Sequence, residues 1–325
     1  MPADATFPIS KRAVVWVGAR KLEIQQKPVR IPGDDELLVK IMATGICGSD
    51  CHNWESDKVS RQLILGHESS GVIERIGKSV QDRKVGDRVA VEPGFPCLQC
   101  EFCLRGSFNI CAELKYCGLD PTDGTLCQYF VCLASMTVPI PENVSWQEAG
   151  GIQPLAVAVQ LARRAGLKTG QTMAIFGCGP LGLLVLAVAR AYGVQKIVMF
   201  NIEETRAKFA ESYGADKGIV VSRNTNPDKD PLAFAQEYAS RIILEQGIGH
   251  GCDVVVEASG AAVCVLMGIC MLKAGGTLIQ AGLGKPLVSV PLFTVTAKEL
   301  SIKASEAFEA QHARSNIKII ILNQD

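Results

Sequence analysis

The stretch Met173-Ala-Ile-Phe-Gly-Cys-Gly-Pro-Leu-Gly182 decides the fold of this chain. It joins an apolar run that suits a buried parallel strand to the glycine pattern G-x-G-x-x-G, which begins at Gly177. The apolar, alanine-rich run from Leu183 to Tyr192 predicts a helix, and the run from Lys196 to Phe200 predicts a second strand. A strand, a glycine turn, a helix and a strand in this order are typical of a dinucleotide-binding unit.

The glycines of this turn have different physical roles. Gly177 makes the tight turn, Gly179 lets backbone N–H groups approach a pyrophosphate, and Gly182 lets the helix pack close to its strand. Asn201 ends the second strand, where a side chain that binds ribose belongs. The alternative is a purely structural turn, which would not need three glycines at this spacing. We therefore predict that a dinucleotide contacts Gly177, Gly179, Pro180, Leu181, Gly182 and Asn201.

The length and composition are those of an ordinary enzyme. The 325 residues are 48% hydrophobic and 20% charged, with a formal net charge of zero, and a chain of this length commonly forms two domains. Because there is no basic excess, nucleic acid is not expected as a partner. The apolar runs are shorter than the ~18 residues that cross a bilayer, so no membrane partner is expected either.

The cysteines are informative because of the compartment that the N-terminus predicts. It lacks a basic segment followed by an apolar one, so we expect no secretory signal and a cytoplasmic location. In that reducing compartment the 13 cysteines are not expected to form a disulfide framework. Clusters among them instead predict metal binding or catalysis.

Two patterns of apolar residues divide the chain. From Ala13 to about Pro141, short β-like runs alternate with turn signals, which predicts a small β-rich domain of barrel type. From about Ser145, helical stretches alternate with apolar strands, which is typical of a parallel, doubly wound sheet. The candidate strands of this second part are Met173 to Phe176, Lys196 to Phe200, Gly218 to Val221, Asp253 to Glu257 and Thr277 to Gln280.

A thiol, an imidazole and a carboxylate occur within the β-rich part, at Cys47, His67 and Glu68. Zinc accepts such ligands, and a catalytic zinc site keeps one position open for water or substrate. Each of these residues alone would more often be a packed core residue. The chain has only four histidines, and two of them, His52 and His67, lie in this segment. Together the residues favour a metal site.

Four more cysteines form a second cluster, at Cys97, Cys100, Cys103 and Cys111. Four thiolates this close in sequence are typical of a closed, tetrahedral zinc site that folds a loop around the metal. An iron–sulfur cluster can use a similar run of cysteines and is the alternative metal. Four unliganded cysteines are the remaining alternative. The other cysteines are scattered and are expected to behave as small hydrophobic residues.

These motifs, in this order, resemble the zinc-dependent medium-chain alcohol and polyol dehydrogenases. Ile46 to Asp50, Ala90 to Gly94 and Asp123 to Cys127 are most similar to the polyol branch, which contains sorbitol, arabinitol and xylitol dehydrogenases. The resemblance runs from about Val14 to Ala304. It implies an α/β chain with a GroES-like, β-rich catalytic domain (1–150, with 305–325 returning to it) and a Rossmann domain with a doubly wound parallel sheet (151–304).

The resemblance also implies roles for single residues. Cys47, His67 and Glu68 would hold a catalytic zinc, and the four clustered cysteines would hold a structural zinc. Ser49 would accept the proton of the substrate, and His52 would pass it outward unless a polyol hydroxyl or water does so. Further expected contacts to the cofactor are made by Arg206 and, beside the nicotinamide, by Ala281, Gly282 and Leu283.

Three departures from the family pattern bear on activity. Gln153 stands beside the expected zinc where polyol relatives usually carry Glu, so the site lacks a negative charge. Asn201 stands where NAD-dependent relatives carry Asp, which would repel a 2′-phosphate, so NADP becomes an alternative to NAD. After Ala304 the chain lacks a segment that relatives carry, and it finishes with Ile317 to Leu322, which resembles the family's closing strand.

The function that the resemblance implies is the NAD-dependent oxidation of a polyol secondary alcohol to a ketose, with xylitol and D-xylulose as the expected pair. The alternatives within the same chemistry are sorbitol, arabinitol or a simple alcohol as the substrate. An alternative from another class is a catalytically impaired relative that still binds zinc and nucleotide, which Gln153 and the shortened C-terminal part favour. The resemblance further implies a homo-oligomer.

Overall fold

The chain divides into two compact units. The computed structural model describes residues 7–56, 61–221, 230–285, 287–304 and 319–322. The first unit runs to Gln153 and includes the last described strand, and the second unit begins at Pro154. In the described ranges, no helix combines the length and the apolar character that a membrane crossing requires.

The first unit is rich in antiparallel strands. Its strands up to the boundary are β1 (Ser10–Gly18), β2 (Lys21–Pro28), β3 (Glu36–Ile46), β4 (Leu63–Ile64), β5 (Glu68–Ile76), β6 (Arg88–Val91), β7 (Gly94–Phe95), β8 (Lys115–Tyr116), β9 (Tyr129–Leu133) and β10 (Thr137–Pro139). Its helices are α1 (Gly48–Glu55), α2 (Glu101–Leu104) and α3 (Trp146–Gly150). The core contains Leu37, Val39 and Ile41 of β3, which are fully buried. The predicted β-rich domain is confirmed.

The second unit is a parallel sheet with helices. Its strands are β11 (Thr172–Phe176), β12 (Lys196–Asn201), β13 (Lys217–Val220), β14 (Cys252–Glu257), β15 (Leu272–Gln280) and β16 (Ser301–Ala304). Its helices are α4 (Ile152–Ala165), which starts at the boundary, α5 (Pro180–Ala191), α6 (Glu204–Tyr213), α7 (Pro231–Glu245), α8 (Ala262–Met271) and α9 (Leu292–Ala297).

The strand order of this sheet is β13-β12-β11-β14-β15-β16, and all neighbours are parallel. This is the Rossmann order, in which ligands bind at the carboxyl ends where β11 and β14 meet. The strands are apolar on both faces because the sheet core is buried, and the rings of Phe176 and Phe200 stack with centroids 4.5 Å apart. The predicted doubly wound sheet is confirmed.

The last described strand, β17 (Ile319–Leu322), returns to the first unit. It pairs antiparallel with the end of β3, with Ile319 opposite Ile46 and Leu322 opposite Ala43. The other half of the same β3 edge pairs with β9, from Glu36 to Lys40. The shortened connection that the sequence predicts between Ala304 and this strand falls on 305–318, outside the described residues.

Two predicted elements differ in detail. The helix expected from Leu183 begins at Pro180, because proline is well suited to the first helical position. The four-cysteine segment, which has no regular period in its sequence, contains the single helical turn of α2 between Cys100 and Cys111. A turn this short carries no sequence period because it is held by local contacts rather than by an apolar face.

Candidate metal centres and nucleotide site

Strand pairing in the first unit brings Cys47, His67 and Glu68 together. Glu68 begins β5 and lies opposite Gly45 of β3, so Cys47, which follows the end of β3, is at the same end of the sheet as His67. One ligand atom from each of the three side chains lies within 4.8 Å of the others. All three residues are buried. The β3–β5 register thus assembles the three residues that the sequence analysis proposes as a metal site.

Asp50 fixes the loops that carry these side chains. One carboxylate oxygen accepts a hydrogen bond from the Cys47 backbone N–H (3.0 Å), and the other accepts one from the Gly66 backbone N–H (2.9 Å). The second oxygen also lies 3.6 Å from His67 Nδ1. The opposite ring nitrogen of His67 therefore faces away from Asp50.

That nitrogen, His67 Nε2, tests whether the site fits a metal. It is buried and has no hydrogen-bond partner among the residues that the structure describes. A buried polar atom without a partner costs about 1–3 kcal/mol, and coordination of a metal would remove this cost. A thiolate, an imidazole and a carboxylate are also ligands that zinc accepts. The residues present therefore fit a zinc ion.

Ser49 and His52 lie on the same short helix, α1. Ser49 is in its first turn and is only 8% exposed, whereas His52 is in its last turn and is exposed. Residues three apart share one side of a helix. The helix thus carries a buried hydroxyl near the cluster and an imidazole that reaches solvent.

Tyr116 is a residue of this region that the sequence analysis missed. Its ring lies edge-on to the His67 ring, with centroids 5.4 Å apart, and its phenol oxygen accepts a hydrogen bond from Gln153 Nε2 (3.0 Å). Burial and then the nearby acidic groups, of which Cys47 is the strongest, raise the pKa of Tyr116 well above its usual value. The phenol therefore stays protonated. No spacing signal marks a single aromatic residue on a two-residue strand.

The four clustered cysteines are also assembled. The Sγ atoms of Cys100 and Cys103 are 3.5 Å apart, and those of Cys97 and Cys103 are 3.9 Å apart. Four sulfurs at the usual Zn–S distance, about 2.3 Å, in a tetrahedron lie about 3.8 Å from one another. All four ligand atoms lie within 4.8 Å of one another, and each cysteine is free of disulfides. This spacing fits a tetrahedral metal site.

The pKa shifts of two of these thiols also suit a metal site. Backbone N–H groups of Gln99 and Cys100 lower the pKa of Cys97 to about 7. Desolvation and then the hydrogen-bonded thiols, first that of Cys100, raise the pKa of Cys103 to about 12. The loop thus favours the thiolate form of Cys97, whereas burial and the neighbouring thiols oppose the thiolate form of Cys103. A bound metal ion would favour the thiolate form of its cysteine ligands.

The glycine turn of the second unit fits a dinucleotide. A side chain at Gly182 would collide with the carbonyl oxygen of Gly177, so the close packing of α5 requires glycine. Next to Gly179, in contrast, a Cβ would meet nothing within 4 Å, which leaves room for a ligand. Pro180 and Leu181 then begin α5, and the N-terminal end of a helix attracts a phosphate.

Asn201 and Arg206 follow on the neighbouring strand and helix. Asn201 ends β12, and its side-chain oxygen accepts a hydrogen bond from the Glu203 backbone N–H (2.9 Å). Arg206 Nε lies 3.1 Å from a carboxylate oxygen of Glu203. The structure therefore brings the guanidinium to the end of β12 but also pairs it with an acid.

The segment Ala281 to Leu283 follows β15, at the same edge of the sheet as the glycine turn. The backbone N–H groups of Ala281 and Gly282 both donate to the Glu257 carbonyl oxygen at 2.8 Å. Leu283 is 56% exposed. Because the strands are parallel, the ends of β11, β14 and β15 present their following residues side by side.

The two units thus contain two metal-type donor clusters and a Rossmann sheet with an open glycine turn. Together these features define the class of zinc- and nucleotide-dependent dehydrogenases. Residues 33–142 match the family model "Alcohol dehydrogenase GroES-like domain", and residues 180–319 match "Zinc-binding dehydrogenase".

Comparison with individual proteins agrees with these matches. D-xylulose reductase A of Aspergillus niger is 40% identical over 297 residues, which are 90% of this chain and 80% of the relative. An alcohol dehydrogenase from Escherichia coli CFT073 complexed with NADH has a TM-score of 0.81 and 27% identity, covering 94% of this chain and 85% of that one. A chain from Sinorhizobium meliloti bound to NADP has a TM-score of 0.80 and 29% identity, covering 91% and 84%.

The chain belongs to the zinc-dependent medium-chain dehydrogenase/reductase family. It is an oxidoreductase that uses zinc and a nicotinamide cofactor. The resemblance to the family that the motifs indicate is confirmed.

Proposed function

We propose that the chain oxidises a secondary alcohol of a polyol to a ketose with NAD, and that xylitol and D-xylulose are its substrate and product. The identity to a D-xylulose reductase, across four fifths of that relative, supports this assignment. The observation that carries it is the buried cluster of Cys47, His67 and Glu68, in which His67 Nε2 has no hydrogen-bond partner among described residues. Such a donor set suits a catalytic rather than a closed structural metal.

Two zinc ions per chain are part of the proposal. Cys47, His67 and Glu68 would hold the catalytic ion, and Cys97, Cys100, Cys103 and Cys111 would hold the structural one. When bound, zinc supplies Lewis acidity toward an alcohol oxygen, and the nicotinamide supplies a two-electron acceptor. Asp50 keeps the loops of Cys47 and Gly66 in place through its two hydrogen bonds.

The remaining chemistry is assigned to side chains of the chain itself. Ser49 accepts the proton of the substrate hydroxyl; it is buried in the first turn of α1, two residues after Cys47. His52 passes the proton to solvent from the exposed end of the same helix. Gln153 and Tyr116 contribute neutral polar groups beside His67 and no charge.

We further propose that the cofactor is NAD and that the chain has two domains. The side chain of Asn201 forms a hydrogen bond with a ribose hydroxyl. The Arg206 guanidinium is paired with Glu203 and is therefore less available to a 2′-phosphate, which favours NAD over NADP. The catalytic domain is taken as 1–150 with 305–325, and the Rossmann domain as 151–304. The pairing of β17 with β3 supports this division. A homo-oligomer stays a prediction from the resemblance.

A substrate panel tests this function. Zinc-replete protein is mixed with xylitol, sorbitol, arabinitol or ethanol and with NAD or NADP, and the reduced cofactor is followed by absorbance. We expect the highest kcat/KM with xylitol and NAD. A higher kcat/KM with sorbitol or arabinitol would make that polyol the preferred substrate instead of xylitol. Turnover of ethanol alone would exclude polyols as substrates.

A second candidate function is that of an impaired relative that binds zinc and nucleotide without turnover. The neutral Gln153, which is hydrogen-bonded to Tyr116, is the observation that favours it. Zinc analysis separates the two functions, because two ions per chain support the enzyme. One ion per chain with no turnover on any alcohol supports the impaired relative.

A further inference from the structure

Glu257 is a buried carboxylate that none of the steps above uses. It is the last residue of β14 and is 0% exposed. Its Oε1 accepts hydrogen bonds from the Ser259 backbone N–H (2.8 Å) and from the Ser259 hydroxyl. The Gly260 N–H (3.0 Å) and Gln280 Nε2 (2.8 Å) donate to Oε2. Every one of these partners is a donor, which suits an acceptor-only, ionised carboxylate.

This carboxylate joins two loops at the nucleotide edge of the sheet. The Gln280 amide that donates to Glu257 also donates to the Gly282 carbonyl oxygen (2.8 Å). A side chain at Gly282 would lie 2.8 Å from Glu257 Oε2, so the segment after β15 packs directly on the carboxylate. The residues after β14 are held by the same oxygens. A third loop, the glycine turn, packs against the residue after Glu257, because a side chain at Gly177 would meet the Ala258 backbone at 3.0 Å.

We propose that Glu257 is a positioning residue for the nicotinamide end of the cofactor. It holds Ala281 to Leu283 in the conformation that flanks the ring, and its buried negative charge favours the oxidised cofactor. Oxidised nicotinamide carries a positive charge, whereas the reduced ring is neutral. A fixed charge in a site of low dielectric acts strongly on such a difference. The inference rests on the proposed use of NAD and on the proposed place of Ala281 to Leu283.

The experiment compares two carboxylates of the same strand, the buried Glu257 and the partly exposed Asp253. Glu257→Gln keeps the size of the side chain and removes the charge at the carboxyl end of β14. Asp253→Asn does the same near the opposite end, where Asp253 accepts from the Thr172 backbone N–H (2.9 Å) and pairs with Lys273, away from the nucleotide edge. Dissociation constants for NADH and for NAD are measured by fluorescence titration and competition, which needs no turnover. Circular dichroism and thermal unfolding report whether each variant is folded.

We expect Glu257→Gln to raise the dissociation constant of NAD about tenfold and that of NADH about threefold, because both loop geometry and charge are lost. Asp253→Asn should leave both constants within about twofold of wild type, since Asp253 contacts Thr172 and Lys273 and not the loops at the nucleotide edge. Equal affinities in folded Glu257→Gln and wild type would overturn the inference. Equal weakening of NAD and NADH would overturn the charge effect.

A milder variant covers the case in which Glu257→Gln does not fold. Ser259→Ala removes one donor and leaves the carboxylate in place, and we expect a loss of NAD affinity of about threefold. Unchanged affinity in this variant would then count against the inference. Wild-type protein that binds neither NAD nor NADH would instead contradict the proposed function, so the two failures are distinguishable.

Discussion

The side-chain amide of Gln153 donates a 3.0 Å hydrogen bond to the phenol oxygen of Tyr116, whose ring lies edge-on to His67. The pair is neutral, because the pKa of Tyr116 is raised by burial and by the acidic groups around it. The proposed catalytic zinc is therefore balanced by fewer negative charges than a Glu at position 153 would give.

Restoring a carboxylate at this position should strengthen zinc binding. In Gln153→Glu, the protonated phenol of Tyr116 can donate to the new carboxylate, which adds a negative charge beside the cluster. We expect zinc to leave this site about tenfold more slowly under a chelator. Tyr116→Phe is the control, since it removes the hydrogen bond to position 153 without adding charge. Equal release rates for Gln153→Glu and wild type would show that position 153 does not act on the metal.

Asp50→Asn should weaken the same site. The variant keeps the shape of the side chain but removes the charge that faces His67 Nδ1 at 3.6 Å. Loss of such a supporting carboxylate typically lowers metal affinity 10–100-fold. Zinc content after dialysis should fall from about two ions per chain toward one, with the four-cysteine site as the internal control. Retention of both ions at wild-type affinity would contradict this role of Asp50.

The sequence predicts local features well and long-range ones poorly. The glycine turn and the four cysteines each lie within a few neighbouring residues, so their spacing alone indicates their chemistry. Tyr116 gives no such signal, because its contact with His67 depends on how β8 and the start of β5 meet in space. The role of Glu257 is likewise invisible, since the two loops that it joins are more than twenty residues apart in the sequence.

The choice between NAD and NADP also depends on local conformation. Asn in place of Asp at the end of the second strand predicts weaker discrimination against NADP. The pairing of Arg206 with Glu203, and the capture of the Asn201 oxygen by the Glu203 N–H, depend on the conformation of the turn between them. A spacing rule contains no information about that conformation.

Asn201→Asp should sharpen the preference for NAD. Aspartate can still accept from the Glu203 N–H, so the turn is kept, but its charge opposes a 2′-phosphate. We expect kcat/KM with NADP to fall about tenfold or more, and the value with NAD to change little. The ratio of the two values, measured with one polyol, is the readout. A parallel fall with both cofactors would mean that the substitution disturbs the turn rather than selectivity.

Removal of β17 should damage the candidate zinc site. A chain that ends at residue 318 lacks the strand that pairs with Ala43 to Ile46, just before Cys47. The exposed edge of β3 would invite aggregation and free the loop of Cys47. We expect loss of the zinc held by Cys47, His67 and Glu68 and a lower thermal midpoint. A chain that ends at Leu322 is the control, and similar zinc contents in the two chains would contradict the prediction.

We propose that the cluster of Cys47, His67 and Glu68 supports zinc-dependent oxidation of a polyol. It is tested most directly by the rate at which zinc-replete protein reduces NAD with xylitol, measured for wild type and for Cys47→Ser. We predict steady turnover by wild type and a loss of about a thousandfold or more in the variant, since a three-ligand site loses one ligand. No turnover by folded wild type with two zinc ions, or equal turnover by both proteins, would contradict it.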